Sequence, residues 1–103
     1  MSKYNARPTV VDNIRFASKK EAARYCDLKL LEKAGEISEL ELQPKYKIIV
    51  FDRLICSYIA DFRYRDCVSG ELVVEDVKGV KTPAYRLKNK LMWAVHNIKI
   101  KET

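Results

Sequence analysis

Apolar residues recur along this chain at two periods, and the switches between them divide it into elements. After the polar, basic opening "MSKYNARPTV", the pairs Val10-Val11 and Ile14-Phe16 flank Asp12-Asn13, a turn signal that predicts a small hairpin. The stretch "SKKEAARYCDLKLLEKAG" then reads as a helix: Ser18 with Glu21 three residues on forms a capping box, and Gly35 supplies the stop. At about 100° per residue, Ala22, Cys26, Leu30 and Ala34 fall on one side of that helix, while Glu21 shares the other with Tyr25 and Leu28. Glu21 therefore need not face open solvent.

A β-rich block follows, in which Pro44 of "ISELELQPKYKIIVFD" suits a strand edge or bend. Alternation in "SYIADFRYRD" sets Tyr58, Ala60, Phe62 and Tyr64 against Ile59, Asp61, Arg63 and Arg65. "CVSG" predicts a turn into "ELVVEDVK", and so an antiparallel hairpin in which Asp76 and Lys78 share a face and Glu75, solvated or salt-bridged, takes the opposite one. Thr82 as N-cap and Pro83 at the first helical position open a second helix, with Leu87, Leu91, Ala94 and Ile98 as the core stripe and Tyr85, Asn89, Met92 and His96 on the other side. "IKIKET" closes as a short edge strand. The order is helix, a β-meander of about three strands, helix.

The 103 residues predict one domain, 1–103, with residues 1–9 as a basic N-terminal arm. The apolar runs are too short for a membrane span or a signal peptide, which sets the expectation of an intracellular protein with no membrane partner. Cys26, Cys56 and Cys67 have no zinc or redox spacing; Cys26 and Cys56 are expected in the core. A net charge of +6 suits a polyanionic partner.

Three ionisable groups in "VVEDVKG" stand directly behind buried-looking valines, and charges removed from water must be paired, neutralised or bound to a metal. Asp61 on one strand and Asp76 on the next could together hold a hard cation such as Mg²⁺, which prefers carboxylate oxygens and keeps several waters. Lys78 beside it could orient or deprotonate an attacking water and meet the charge developing on a phosphate. That set describes metal-dependent cleavage of a phosphodiester. The bland alternatives are an exposed strand face paired with Arg63 and Arg65, and for Glu21 the capping box alone.

Asp61 followed after a turn by Asp76-x-Lys78 resembles the core motif of the PD-(D/E)XK nuclease superfamily, which includes restriction enzymes, Holliday-junction resolvases and mismatch-nicking enzymes. More closely, "FASKKEAARYCDLKLLEKAGEISELELQPKY", "YIADFRY", "VVEDVKG" and "KTPAYRLKNKLMW" are similar to short phage and prophage proteins of that superfamily, over about Phe16 to Trp93. The resemblance implies an α/β, restriction-endonuclease-like core, with a central mixed β-sheet flanked by α-helices. It implies Asp61 and Asp76 as metal ligands, Val77 as a backbone-carbonyl ligand, Lys78 as the catalytic lysine and Glu21 as a further acid toward the metal. Ala60 stands where the superfamily often has proline. Gln43 and Lys88 match polar positions of the pattern; Lys81, Arg86, Lys88 and Lys90 are expected to contact phosphate.

The expected activity is a Mg²⁺-dependent (Mn²⁺ possible) DNA endonuclease, structure-selective for branched or junction DNA, acting in phage DNA metabolism within the host cytoplasm. It needs no small-molecule cofactor, and a homodimer follows if two strands are cut. Two rivals stand beside it: a nucleic-acid-binding module without catalysis, and a phage protein that inhibits a host factor through Tyr85, Met92 and Trp93.

Overall fold

The computed structural model describes residues 8–103, so the basic arm expected over residues 1–9 falls, up to residue 7, outside the described residues. Strands β1 (Thr9–Val11) and β2 (Ile14–Phe16) form the predicted hairpin, with Asp12 and Asn13 both at positive φ, as a tight two-residue turn requires. Helix α1 (Lys19–Lys33) starts at Ser18, whose side chain accepts the Glu21 N–H at 3.1 Å, and ends ahead of Gly35 at φ +80°. Strands β3 (Ile37–Leu42), β4 (Lys45–Val50), β5 (Arg53–Ile59), β6 (Phe62–Asp66) and β7 (Leu72–Asp76) follow, then α2 (Pro83–His96) and β8 (Lys101–Glu102). Thr82 caps α2 through its hydroxyl, with Pro83 at the first turn.

The central sheet is mixed, in the order β3-β6-β7-β8, antiparallel except for the parallel pair β7–β8. Its register settles what each face covers. Phe62 stands opposite Glu75 and Tyr64 opposite Val73, and this face packs Phe62 and Tyr64 with Ala22, Tyr25 and Leu28 of α1. Val74, on the other face, joins Tyr85 and Met92 of α2. The helices thus lie on opposite faces of an α/β sheet, and among the described residues neither is long and apolar enough to cross a membrane.

Four expectations change. "SYIADFRYRD" is two strands, not one: β5 pairs with β4 as a separate two-stranded ribbon, and the chain bends at Ala60-Asp61 into β6. The residues Tyr58, Ala60, Phe62 and Tyr64 are all buried, as alternation predicts, but the bend sends the first two to the α2 side and the last two to the α1 side. The meander is accordingly β3-β6-β7, interrupted by the β4–β5 ribbon. On α1 the buried row is Glu21, Ala22, Tyr25 and Leu28, leaving Cys26, Leu30 and Ala34 exposed and Cys26 outside the core. On α2 the buried residues are Tyr85 and Met92, while Leu87 and Ala94 of the expected stripe are exposed and Leu91 half-buried; Ile98 lies beyond the helix. Both helices carry apolar residues on two sides, and the side that turned inward is the one with a polar anchor: Arg24 beside Tyr25 on α1, Tyr85 itself on α2.

The α1 anchor is a buried ion pair. Glu75, fully buried, receives Arg24 Nε at 2.6 Å and Nη2 at 3.0 Å, the Tyr64 hydroxyl at 2.6 Å and the Thr103 hydroxyl at 3.2 Å. Of Glu75's two expected states, the salt-bridged one is formed. These donors outweigh the burial that would raise its pKa and hold the carboxyl below the usual range. Breaking such a pair strands a charge in the interior, so Arg24→Ala and Glu75→Ala should each cost about 3–5 kcal/mol in urea unfolding, while Arg24→Met/Glu75→Leu should cost less than either single change.

Candidate metal and phosphate site at the end of β7

The bend at Ala60-Asp61 leads into β6 so that Asp61, just ahead of the strand, stands beside the end of β7. Asp61 is laced there by backbone contacts: its N–H donates to Asp76 Oδ1 at 3.0 Å and to the Glu75 carbonyl at 3.2 Å, and its own Oδ2 accepts the Val77 N–H at 2.8 Å. Gln43, at φ +51°, donates its N–H to the Asp61 carbonyl at 3.0 Å. A non-glycine residue adopts that conformation at a cost, here accepted at the rim of the site. Gln43, Asp61 and Glu21 line one cleft of about 180 Å³, floored by Phe16 and Leu42.

Asp76 is only 1 % exposed, and its Oδ2 has no hydrogen-bond partner. The nearest cation is Lys78 Nζ at 3.9 Å, too far for a hydrogen bond. Lys78 is held over the Tyr85 ring, 4.2 Å from its centroid, and its carbonyl accepts from Lys20 Nζ at 3.2 Å. Tyr85 in turn donates its hydroxyl to Glu102 at 2.7 Å. Burial, opposed by Lys78 and by the Asp61 N–H, pushes Asp76 up to about 6. Burial and then the nearby Asp61 charge push Glu21 up to about 7, with Asp76 adding to the rise and the Ala17 N–H opposing it. Asp61 is also raised, by burial, against the Val77 N–H and Lys78. The charges of Asp61 and Asp76 thus both raise Glu21, and Lys78 opposes the rise at all three acids.

Glu21 serves the Ser18 cap through its backbone N–H, while its carboxyl lines the same cleft as Asp61. The basic residues gather less well. Lys81 is paired with Glu102 at 3.0 Å. Arg86 and Lys90 are exposed on one side of α2, whereas half-buried Lys88, three residues after Tyr85, lies on the other. Only Lys88 shares the Tyr85 side that borders Lys78. Arg63 and Arg65 do not face Asp76; they pair with Glu41 and Glu39. His96 packs on the ribbon, 2.8 Å from the Lys47 carbonyl. Tyr85 and Glu102 are the members of the site that sequence reasoning did not place there; Tyr85 was legible only as an aromatic on a helix, and Glu102 had no signal.

The residues fit a hard cation in part. Among the described residues no three acidic, histidine or cysteine side chains converge into a ready cage, but Asp61 and Asp76 each use one oxygen on backbone N–H groups and leave one unbonded. Two such oxygens and a backbone carbonyl are enough for an ion that retains waters.

The chain belongs to the family described as "Protein of unknown function (DUF1064)", whose model matches residues 1–103. No curated protein and no solved structure matches it.

The raised acids have a measurable consequence. Between about pH 4.5 and 7 the folded protein binds more protons than the unfolded one at Glu21 and Asp76, so metal-free stability should fall as pH rises through that window. Thermal melts should show the midpoint several degrees lower at about pH 8 than at about pH 5. Asp76→Asn should raise the midpoint at the higher pH and flatten the slope.

Proposed function

We propose that this protein is a metal-dependent nuclease that hydrolyses DNA phosphodiester bonds, with Asp61, Asp76, Lys78 and Glu21 as its working residues. The observation that carries the proposal is the buried, unpartnered Oδ2 of Asp76, raised in pKa and facing Lys78. A fully buried carboxylate oxygen without a donor is costly, and perturbed acids of this kind mark functional sites. The frame supports it: α1, the meander β3-β6-β7, α2 and then β8 parallel to β7 make a central mixed sheet with a helix on each face, the arrangement that the resemblance implies, with the β4–β5 ribbon set between β3 and β6 in the chain.

Asp61, Asp76 and the Val77 carbonyl would hold Mg²⁺ or Mn²⁺, with Glu21 turned toward it from α1. When bound, the ion supplies charge stabilisation for the attacking and leaving oxygens of the phosphate and acidifies a water. Lys78, fixed by the Tyr85 ring and the Asp76 carboxylate, orients the water and meets the charge that develops on the phosphate. Lys88 is placed to contact an adjacent phosphate. Glu21 and Asp76, ionised only above about pH 7 and 6 without metal, give the site an alkaline limb for cation binding, because protons compete with the metal.

The structure-selective substrate and the phage setting follow from the resemblance. The rival surface for a host factor has lost two of its three residues, since Tyr85 and Met92 are buried.

The test is cleavage by wild type and Lys78→Ala across linear duplex, nicked circle, single strand, flap and four-way junction, with Mg²⁺, Mn²⁺ or EDTA. Metal-dependent cutting that falls by at least about a hundredfold in Lys78→Ala, with DNA binding retained, is the expected result. Folded wild type that binds these DNAs and cuts none of them would leave a binding module in place of an enzyme.

A further inference from the structure

The β4–β5 ribbon is covered on one side only. Its pairing places Tyr46 opposite Tyr58 and Ile48 opposite Cys56 on the side that meets α2. The other side carries Ile49 opposite Leu54 and Ile59 opposite Lys45, with the exposed Lys47 opposite Ser57 between them. Ile55 is the residue skipped by the register shift, a β-bulge. Ile49, Leu54, Ile55 and Ile59 are each about half exposed, and Phe51, at the tip with φ +48°, is 90 % exposed. A bulky residue at the first position of such a turn, where Asn or Gly is usual, is unfavourable both in backbone and in hydration. Apolar side chains exposed together on one side mark a surface that a partner covers.

We infer that the cover is a second copy of this chain, with two ribbons stacked antiparallel about a two-fold axis near Ile55. Three features select that occupant. The side is self-complementary: in an antiparallel stack Leu54 and Ile55 near the middle meet their own copies, while the Phe51 tip reaches the partner's base near Ile59. Charge follows the same symmetry, since Asp52 at the tip comes over Lys45 at the base, twice per dimer. The area also suffices: the five apolar side chains offer roughly 600 Å² per protomer, hence about 1,200 Å² in the pair, the lower bound for a specific interface. The exposed face of α2 is a poorer choice, because Arg86 and Lys90 on it would meet their like-charged copies. The inference is independent of the nuclease proposal and is read by mass, not by activity.

Sedimentation equilibrium at micromolar concentration should give twice the 12.0 kDa chain mass for wild type. Leu54→Asp/Ile55→Asp should sediment as a monomer with an unchanged far-ultraviolet spectrum; if it unfolds, Phe51→Ser at the exposed tip replaces it and should weaken association at least tenfold. Asp52→Lys should weaken association several-fold and Asp52→Lys/Lys45→Glu restore it, a rescue that only the antiparallel stack predicts. A monomeric wild type overturns the inference, as does a dimer indifferent to both Phe51→Ser and the charge swap. Wild type that is monomeric and loses DNA affinity on Phe51→Ser would overturn it too, and would give the tip to nucleic acid.

Discussion

Everything in the central sheet is tied to the phase of β7, and that phase is set by Glu75. An ionised carboxyl with no exposure to water must find several donors, and Arg24 on α1, Tyr64 on β6 and Thr103 after β8 supply them. These three partners come from the element packed on one face, the neighbouring strand and the chain terminus, so a single side chain sets the helix angle, the hairpin register and the docking of the final strand. Because side chains alternate along a strand, fixing Glu75 toward α1 fixes Asp76 toward the opposite face. A one-residue slip would turn Asp76 toward α1 and expel Glu75 from its pair with Arg24.

The second constraint is the turn from ribbon to sheet at Ala60-Asp61. Residues on one face of a continuous strand would all serve one core; here the bend delivers Tyr58 and Ala60 to the α2 side and Phe62 and Tyr64 to the α1 side. The backbone groups at the bend are used by Gln43, Glu75 and Asp76, and with the Val77 N–H on the Asp61 carboxylate they hold Asp61 against the end of β7. The bonds that close this chain crossing are thus the ones that bring Asp61 and Asp76 together. The αL backbone of Gln43 and the bulge in β3 near Glu39 belong to the same local adjustment.

What was legible in the sequence was local. Ser18, Thr82, Pro83 and Asp12-Asn13 act within four residues of themselves, and each sits where capping and turn chemistry put it. The pairing of Asp61 with Asp76 was legible too, since a hairpin with alternation leaves few registers. The helix faces were not. Leu87, Leu91 and Ala94 form as good a stripe as Tyr85 and Met92, and the choice was made by Tyr58, Val74 and Glu102, none of which is near in sequence. The same holds for α1, where Cys26 and Leu30 lost to Tyr25 and Leu28 because Arg24 had a partner 51 residues away. Insertion of the ribbon was hidden for a different reason: alternation continues unbroken through Ala60-Asp61 while the backbone changes sheets.

Glu75 and Asp76 are adjacent acids, both out of water, and their proton affinities are driven in opposite directions. Glu75 is held low by Arg24 and the Tyr64 hydroxyl against its burial; Asp76 is raised by burial, which Lys78 at 3.9 Å and the Asp61 N–H only partly offset, and its Oδ2 bonds nothing. Folding alone would favour equipping both or burying neither, since an unsatisfied carboxyl lowers stability without contributing to the packing. The protein instead gives Glu75 four side-chain hydrogen bonds and Asp76 one, from the Asp61 N–H to Oδ1. That asymmetry has no structural benefit, and a cation bound at Asp76 would remove its cost. The stability lost at the end of β7 is accordingly the strongest physical argument for the proposed cation site there.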